Sequence, residues 1–184
     1  MKDAATVTTF LCTLLVLWLI PGTWLLGRKT SGYSPWQQTI SELGASGAPH
    51  EYVARFGLFL PTGLLATLAA LLFFAQGTPA AAALGGSVAI GYLAAAVFPV
   101  DQGAPIHGTR ANFWHNLGGM VMYLGGALSL IAAHRHAPGF TTAGVFSLVG
   151  LAGLSPWTPT RYRGWLQRLI EALFFAALIS HSLF

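Results

Sequence analysis

The sequence predicts an all-α protein, a membrane-embedded bundle of about six transmembrane helices with a short interfacial helix after the first. Two observations carry this. Charged residues are 8% of the chain and hydrophobic ones 54%, with a mean hydropathy of +0.63, whereas an ordinary soluble domain is roughly a quarter charged. The apolar residues also gather into runs of membrane length. A hydrocarbon core about 30 Å thick takes roughly 20 helical residues, so a chain of 184 residues has room for about six crossings and little else. A separate soluble domain is excluded, and 1–184 reads as a single transmembrane domain.

The first run, 5–26, is too long for a typical signal peptide and no A-x-A site closes it, so it reads as a retained first helix. Cys12, the one cysteine, lies inside it, can form no internal disulfide, and reads as a packing residue. Further runs cover 52–74, 80–98, 113–133, 140–154 and 165–183, separated by turn-forming stretches such as AQGTP and HRHAPG. The fifth is short, with Trp157 as an alternative end. Pro21 and Pro61 predict kinks in the first and second helices. In the loop SGYSPWQQTISELGASGAPHE, Ser34 reads as an N-cap, Pro35 as the first helical residue and Gln37 as the capping-box partner. Trp36, Ile40 and Leu43 then share one side of a short helix, Gln38 and Glu42 another, and Gly44 ends it. The tripeptide Ser-Pro-Trp recurs at 155–157, a weak sign of internal duplication.

The links after the second and fourth helices are brief, and those after the first, third and fifth are longer and polar. In an up-and-down bundle those three share one face. That face receives Arg28, Lys29, Arg110, Arg161 and Arg163, and the opposite face Lys2 and Arg135 with His134 and His136. The positive-inside rule makes the long-loop face cytoplasmic and both termini external.

Ionisable groups inside a membrane cost about 2.5–3.5 kcal/mol at a helix centre on insertion scales, so they face protein or water and find partners. The candidates are Glu42, Arg55, Asp101, His107, Arg110, His115, Arg168, Glu171 and His181, all but the last on the long-loop face. His115, Gly118, Met122, Gly125 and Ser129 form a stripe of mostly small residues along the fourth helix, which turns His115 inward. Arg168 and Glu171 stand at the i, i+3 spacing of an ion pair. Glu171 has His115 or Arg55 as alternative partners across the bundle. Asp101 in PVDQG equally reads as a turn cap, and HRH reads as a solvated loop.

Two imidazoles and a carboxylate from Asp101, His107 and His115 suit zinc and leave a fourth position open, although the spacing does not enforce it. A b-type haem is disfavoured because the helix-borne His115 and His181 lie at opposite helix ends. No phosphate loop, dinucleotide fingerprint or nucleophile elbow is present, and nothing points to nucleic acid. Seven of the nine cations are arginine; Arg110, Arg161 and Arg163 flank the predicted mouth, where a forked guanidinium suits a phosphate or carboxylate. Snorkelling to lipid head groups accounts for the same residues.

SPWQQTISELGA, the FPVD and IHG of 98–108, and RGWLQRLIE together resemble the bacterial membrane-protein family catalogued as domain of unknown function 998, across nearly the whole chain. The resemblance implies a bacterial inner membrane, and it marks Ser41, Glu42, Asp101, His107 and Glu171 as the family's characteristic polar residues; it implies no activity. A fainter likeness to Frag- and Dram-type six-helix proteins, some of which remodel lipid anchors, adds a lipid connection by analogy. Two functions are expected. One is a polar pocket of Glu42, Asp101, His107, His115 and Glu171, with Ser41, Arg110, Arg161 and Arg163 on the substrate, that binds an amphipathic lipid or isoprenoid-like molecule and processes it by acid/base or metal-assisted chemistry. The other is a non-enzymatic carrier, sensor or partner-binding subunit in which the glycine stripe mediates assembly, a homo-oligomer included.

Overall fold

In lipid a backbone must satisfy its own N–H and C=O groups, which is why each long apolar run closes into a helix. The computed structural model describes residues 2–135, 138–154 and 160–183. They form α1 (Lys2–Lys29), a π-helical segment (Val53–Phe59) that leads directly into α2 (Leu60–Ala75), α3 (Pro79–Val97), α4 (Arg110–Ala132), α5 (Pro138–Gly153) and α6 (Arg163–Ser182). Short 3-10 turns stand at Ile40–Gly44 and Thr160–Tyr162. Consecutive helices pack on each other and α6 closes the ring against α1, while also reaching α3 and α4. The six expected helices are all present. The second Ser-Pro-Trp, the extension of α5 toward Trp157, and His136 lie outside the described residues.

Asp3–Lys29, Val53–Ala75 and Pro79–Val97 are long and apolar enough to cross a membrane by themselves. Helices α4 and α6, of 23 and 20 residues, have the length, about 30 Å or more at 1.5 Å per residue, and carry many of the polar residues of the interior. Outward faces are apolar, with Phe10, Leu17, Phe74, Val97 and Val149 all exposed. This suits a lipid surrounding.

Pro21 sits within α1 without ending it. Pro61, which brings no N–H, stands just after the π-helical segment and deprives the Gly57 carbonyl of its α-helical donor. The Trp18 indole N–H of α1 donates to that carbonyl at 3.0 Å. A proline in one helix thus docks its neighbour.

The loop after α1 differs from expectation. Its helical turn begins at Ile40, not Pro35, and is preceded by Thr39 rather than Ser34. Glu42 Oε2 accepts from the Thr39 backbone N–H at 2.7 Å and from its hydroxyl at 3.0 Å. Ile40 and Leu43 are buried as expected, but Trp36 is exposed. The reason lies in α6. Arg168 Nη1 donates to the carbonyls of Pro35 (2.7 Å) and Gln38 (2.9 Å), and the Trp165 N–H donates to the Trp36 carbonyl at 3.1 Å. These bonds turn the carbonyls of Pro35, Trp36 and Gln38 toward α6.

This approach requires glycine at 164, because an added methyl would overlap the carbonyl oxygens of Gln38 and Pro35. Gly164→Ala is therefore expected to lift the loop from α6. Hydrogen exchange should speed up across 33–40 while the amides between α3 and α4 keep their protection; unchanged exchange across the loop would contradict the close approach.

Candidate functional site

A carboxyl buried among apolar helices needs hydrogen-bond donors, since burying it alone costs far more than burying an amide. Glu171, on the inner face of α6, is 3% exposed. Its Oε2 accepts from the Tyr92 hydroxyl of α3 at 2.5 Å and its Oε1 from the Tyr123 hydroxyl of α4 at 2.8 Å. The network continues outward. Gln167 Nε2 donates to the Tyr123 oxygen at 2.8 Å, and Gln167 Oε1 accepts from the Ile40 N–H at 2.6 Å. One chain of hydrogen bonds therefore joins α3, α4, α6 and the first loop.

The ion pair expected between Arg168 and Glu171 does not form. Among the described residues the one salt bridge is Arg55 with Glu51, at 2.6 Å. Arg168 instead gives Nη1 to the carbonyls of Pro35, Gln38 and Gly164, and Nη2 to the Tyr33 hydroxyl at 2.5 Å. Burial pushes the Tyr33 phenol above its ordinary range against the opposing pull of Arg168. The neutral phenol accordingly donates to the Thr39 carbonyl at 2.9 Å. Arg55 is also structural, for Nε and Nη2 donate to the carbonyls of Ala96 (3.0 Å) and Val97 (2.9 Å) at the end of α3. A cation there complements the helix dipole.

A cavity of about 790 Å³ opens beside this network. Tyr92, His115, Tyr123, Arg163, Gln167 and Glu171 supply polar groups to its wall, with Ser41 and His107 on the loop side. The rest is mostly apolar. Phe113, Leu117 and Met120 of α4 line it and are themselves exposed, so the hollow reaches the outer surface of the bundle beside α5, whose Leu148 and Leu151 form the facing wall. His115 is buried, as the small-residue stripe predicted, and its Nδ1 lies 2.9 Å from the Phe98 carbonyl. A carbonyl only accepts, so Nδ1 carries the hydrogen and Nε2 of a neutral ring keeps its lone pair.

Five sequence-selected residues therefore meet at one cavity: Ser41, His107, His115, Arg163 and Glu171. The others do not join its wall. Glu42 holds Thr39, as described. Asp101 accepts from the Thr109 N–H at 2.7 Å through Oδ2 and from its hydroxyl at 2.9 Å through Oδ1, while Thr109 caps α4. Arg161 lies over the Tyr162 ring, with 4.8 Å to its centroid, and Arg110 is exposed. Among the described residues no three His, Cys, Asp or Glu side chains could hold one metal ion, so Asp101, His107 and His115 do not assemble the zinc triad considered from sequence. Tyr92 and Tyr123 were missed. Of the five tyrosines they are the two deep inside predicted spans, and a phenol there needs a partner as much as an acid does.

A family model described as Protein of unknown function (DUF998) matches residues 7–183. No curated protein and no solved structure matches the chain.

Removing one hydroxyl strands a carboxyl oxygen, which costs about 1–3 kcal/mol for a buried polar group. Tyr123→Phe should lower the thermal unfolding temperature in detergent. In the Glu171→Leu background the same substitution should cost less, because one of the hydroxyl's two partners is already gone and only the Gln167 bond is lost. Additive losses in that double-mutant cycle would contradict the coupling.

Proposed function

The chain belongs to the DUF998 family, and from the cavity beside Glu171 we propose that it binds an amphipathic, lipid- or isoprenoid-like molecule within the bundle. The observation that carries this reading is the cavity's polarity. One wall holds the Glu171–Tyr92–Tyr123–Gln167 network with His115 and Arg163, and the remainder is mostly apolar and reaches the surface past exposed Phe113, Leu117 and Met120. Pockets of roughly 300–1,000 Å³ with few polar groups in an apolar wall are the ordinary form of small-molecule sites. The tail lies along α4 and α5, and the polar end meets His115, Arg163 and Gln167. The setting is a bacterial inner membrane with the long-loop face cytoplasmic, where Arg110 and Arg161 meet the head groups of surrounding lipid.

One observation favours processing as well as binding. His115, held by the Phe98 carbonyl at 2.9 Å, offers Nε2 as a general base. Glu171 and its two phenols on the same wall hold a proton for a developing charge. Glu42 and Asp101, occupied with Thr39 and Thr109, serve the loops that frame the site.

Gly119 lines the cavity, and a Cβ built there meets nothing within 4 Å, so Gly119→Phe fills the hollow without disturbing the helix. Mass spectrometry of the delipidated wild type is expected to show one retained amphipathic molecule per chain, and Gly119→Phe should lose it with unfolding temperature unchanged. Equal retention in the two proteins would refute the pocket. For processing, His115→Gln should retain a molecule of different mass from the one the wild type holds; the same mass in both would leave binding alone standing and refute His115 as a base.

A further inference from the structure

Glu171 also lines a second hollow, on the other side of α6 from the cavity described above. This one is about 510 Å³ and runs between α1 and α6. Its deep part is apolar, made by Leu19 and Ile20 of α1 and Phe175 of α6. One to two turns nearer the long-loop face, Trp24, Arg28, Tyr33 and Arg168 replace them. The groove is thus graded along the membrane normal, greasy at depth and cationic at its mouth.

Neither cation at that mouth has a carboxylate partner within ion-pair distance among the described residues. Arg168 spends its visible hydrogen bonds on neutral oxygens, three backbone carbonyls and the Tyr33 hydroxyl. Arg28 lies over the Trp24 ring, 4.9 Å from its centroid, and no hydrogen-bond acceptor faces its guanidinium among the described residues. The acid that faces them, Glu171, already accepts from two tyrosines on the far side of α6. Two guanidinium charges at the top of a groove wide enough for one hydrocarbon chain complement an anionic head carried on that chain.

We propose that this groove is a second lipid site, occupied by an anionic phospholipid, with its phosphate at Arg28 and Arg168 and one acyl chain between α1 and α6. The second acyl chain stays in the bilayer. Because Arg168 and Tyr33 also hold the loop 33–40, and Ile40 lines both hollows, the bound phosphate would steady the loop that borders the first cavity.

The test uses full-length protein in detergent, titrated with dioleoyl-phosphatidylglycerol or dioleoyl-phosphatidylcholine and read by native mass spectrometry. One phosphatidylglycerol should bind about tenfold more tightly than phosphatidylcholine, a difference of about 1.4 kcal/mol. Arg28→Gln, which removes no hydrogen bond to the described residues, should abolish that preference, and Ala172→Phe, which fills the groove at an exposed lining position, should abolish the tight site. Gly119→Phe in the other cavity should leave the preference intact, which separates failure here from failure of the first pocket. Equal binding of the two lipids by the wild type, or a preference surviving in Arg28→Gln, would overturn the proposal. So would a tight site surviving in Ala172→Phe; should that variant not fold, Arg28→Gln decides alone.

Discussion

The arrangement depends on one buried carboxyl. Glu171 sits on the inner face of a helix whose neighbours are apolar, and an acid in that position is tolerable only where donors reach both oxygens. Two phenols from two other helices do so. Helices in lipid have little hydrophobic reason to choose one neighbour over another, because lipid tails are as apolar as leucine. Directional bonds and close packing must choose instead. The Tyr92–Glu171–Tyr123 bridge sets α3 and α4 against α6, and small residues let them close: Gly118 fits against Ala94, and Gly126 against Phe174.

From that bridge the order spreads toward the long-loop face. Gln167, one turn from Glu171, relays the bonding to the Ile40 amide, and Arg168 on the next position gathers the loop carbonyls. The loop is therefore shaped by α6 more than by its own sequence. Two hollows share Glu171 and Ile40 in their walls. Tyr92, Tyr123 and Gln167, which satisfy the carboxyl, line the first hollow, and Tyr33 and Arg168, which hold the loop, line the second. Structure and candidate site arise from one requirement.

Much of this was legible in the sequence. The six helices followed from run length, and the inward turn of His115 from the glycine and serine spacing on α4. Glu171 stood out because the chain has only five acids. What escaped shares a cause. Helical spacing compares a residue with its own helix, so it offered Arg168 to Glu171, whereas the bundle offered Arg168 a set of loop carbonyls and Glu171 two distant phenols. Hydropathy counts tyrosine as nearly neutral, which hid Tyr92 and Tyr123 among apolar neighbours. Ser34 and Gln37 are sound capping chemistry for an isolated peptide, but the carbonyls of Pro35, Trp36 and Gln38 were claimed by α6. Asp101 and Glu42 share a face with His107 and His115 but do not line their cavity, because one-dimensional clustering says which end of the bundle a residue occupies and not which way it turns.

The most direct measurement is isotope-edited infrared spectroscopy of the glutamate carboxyl groups in protein reconstituted into lipid. The Glu171 band is the one absent from Glu171→Gln. It is predicted to shift when either Tyr92 or Tyr123 is replaced by phenylalanine, and to stay put when the distant, exposed Tyr52 is replaced likewise. A Glu171 band indifferent to both inner tyrosines would mean that the carboxyl is satisfied elsewhere, and the organisation described for the bundle would not hold.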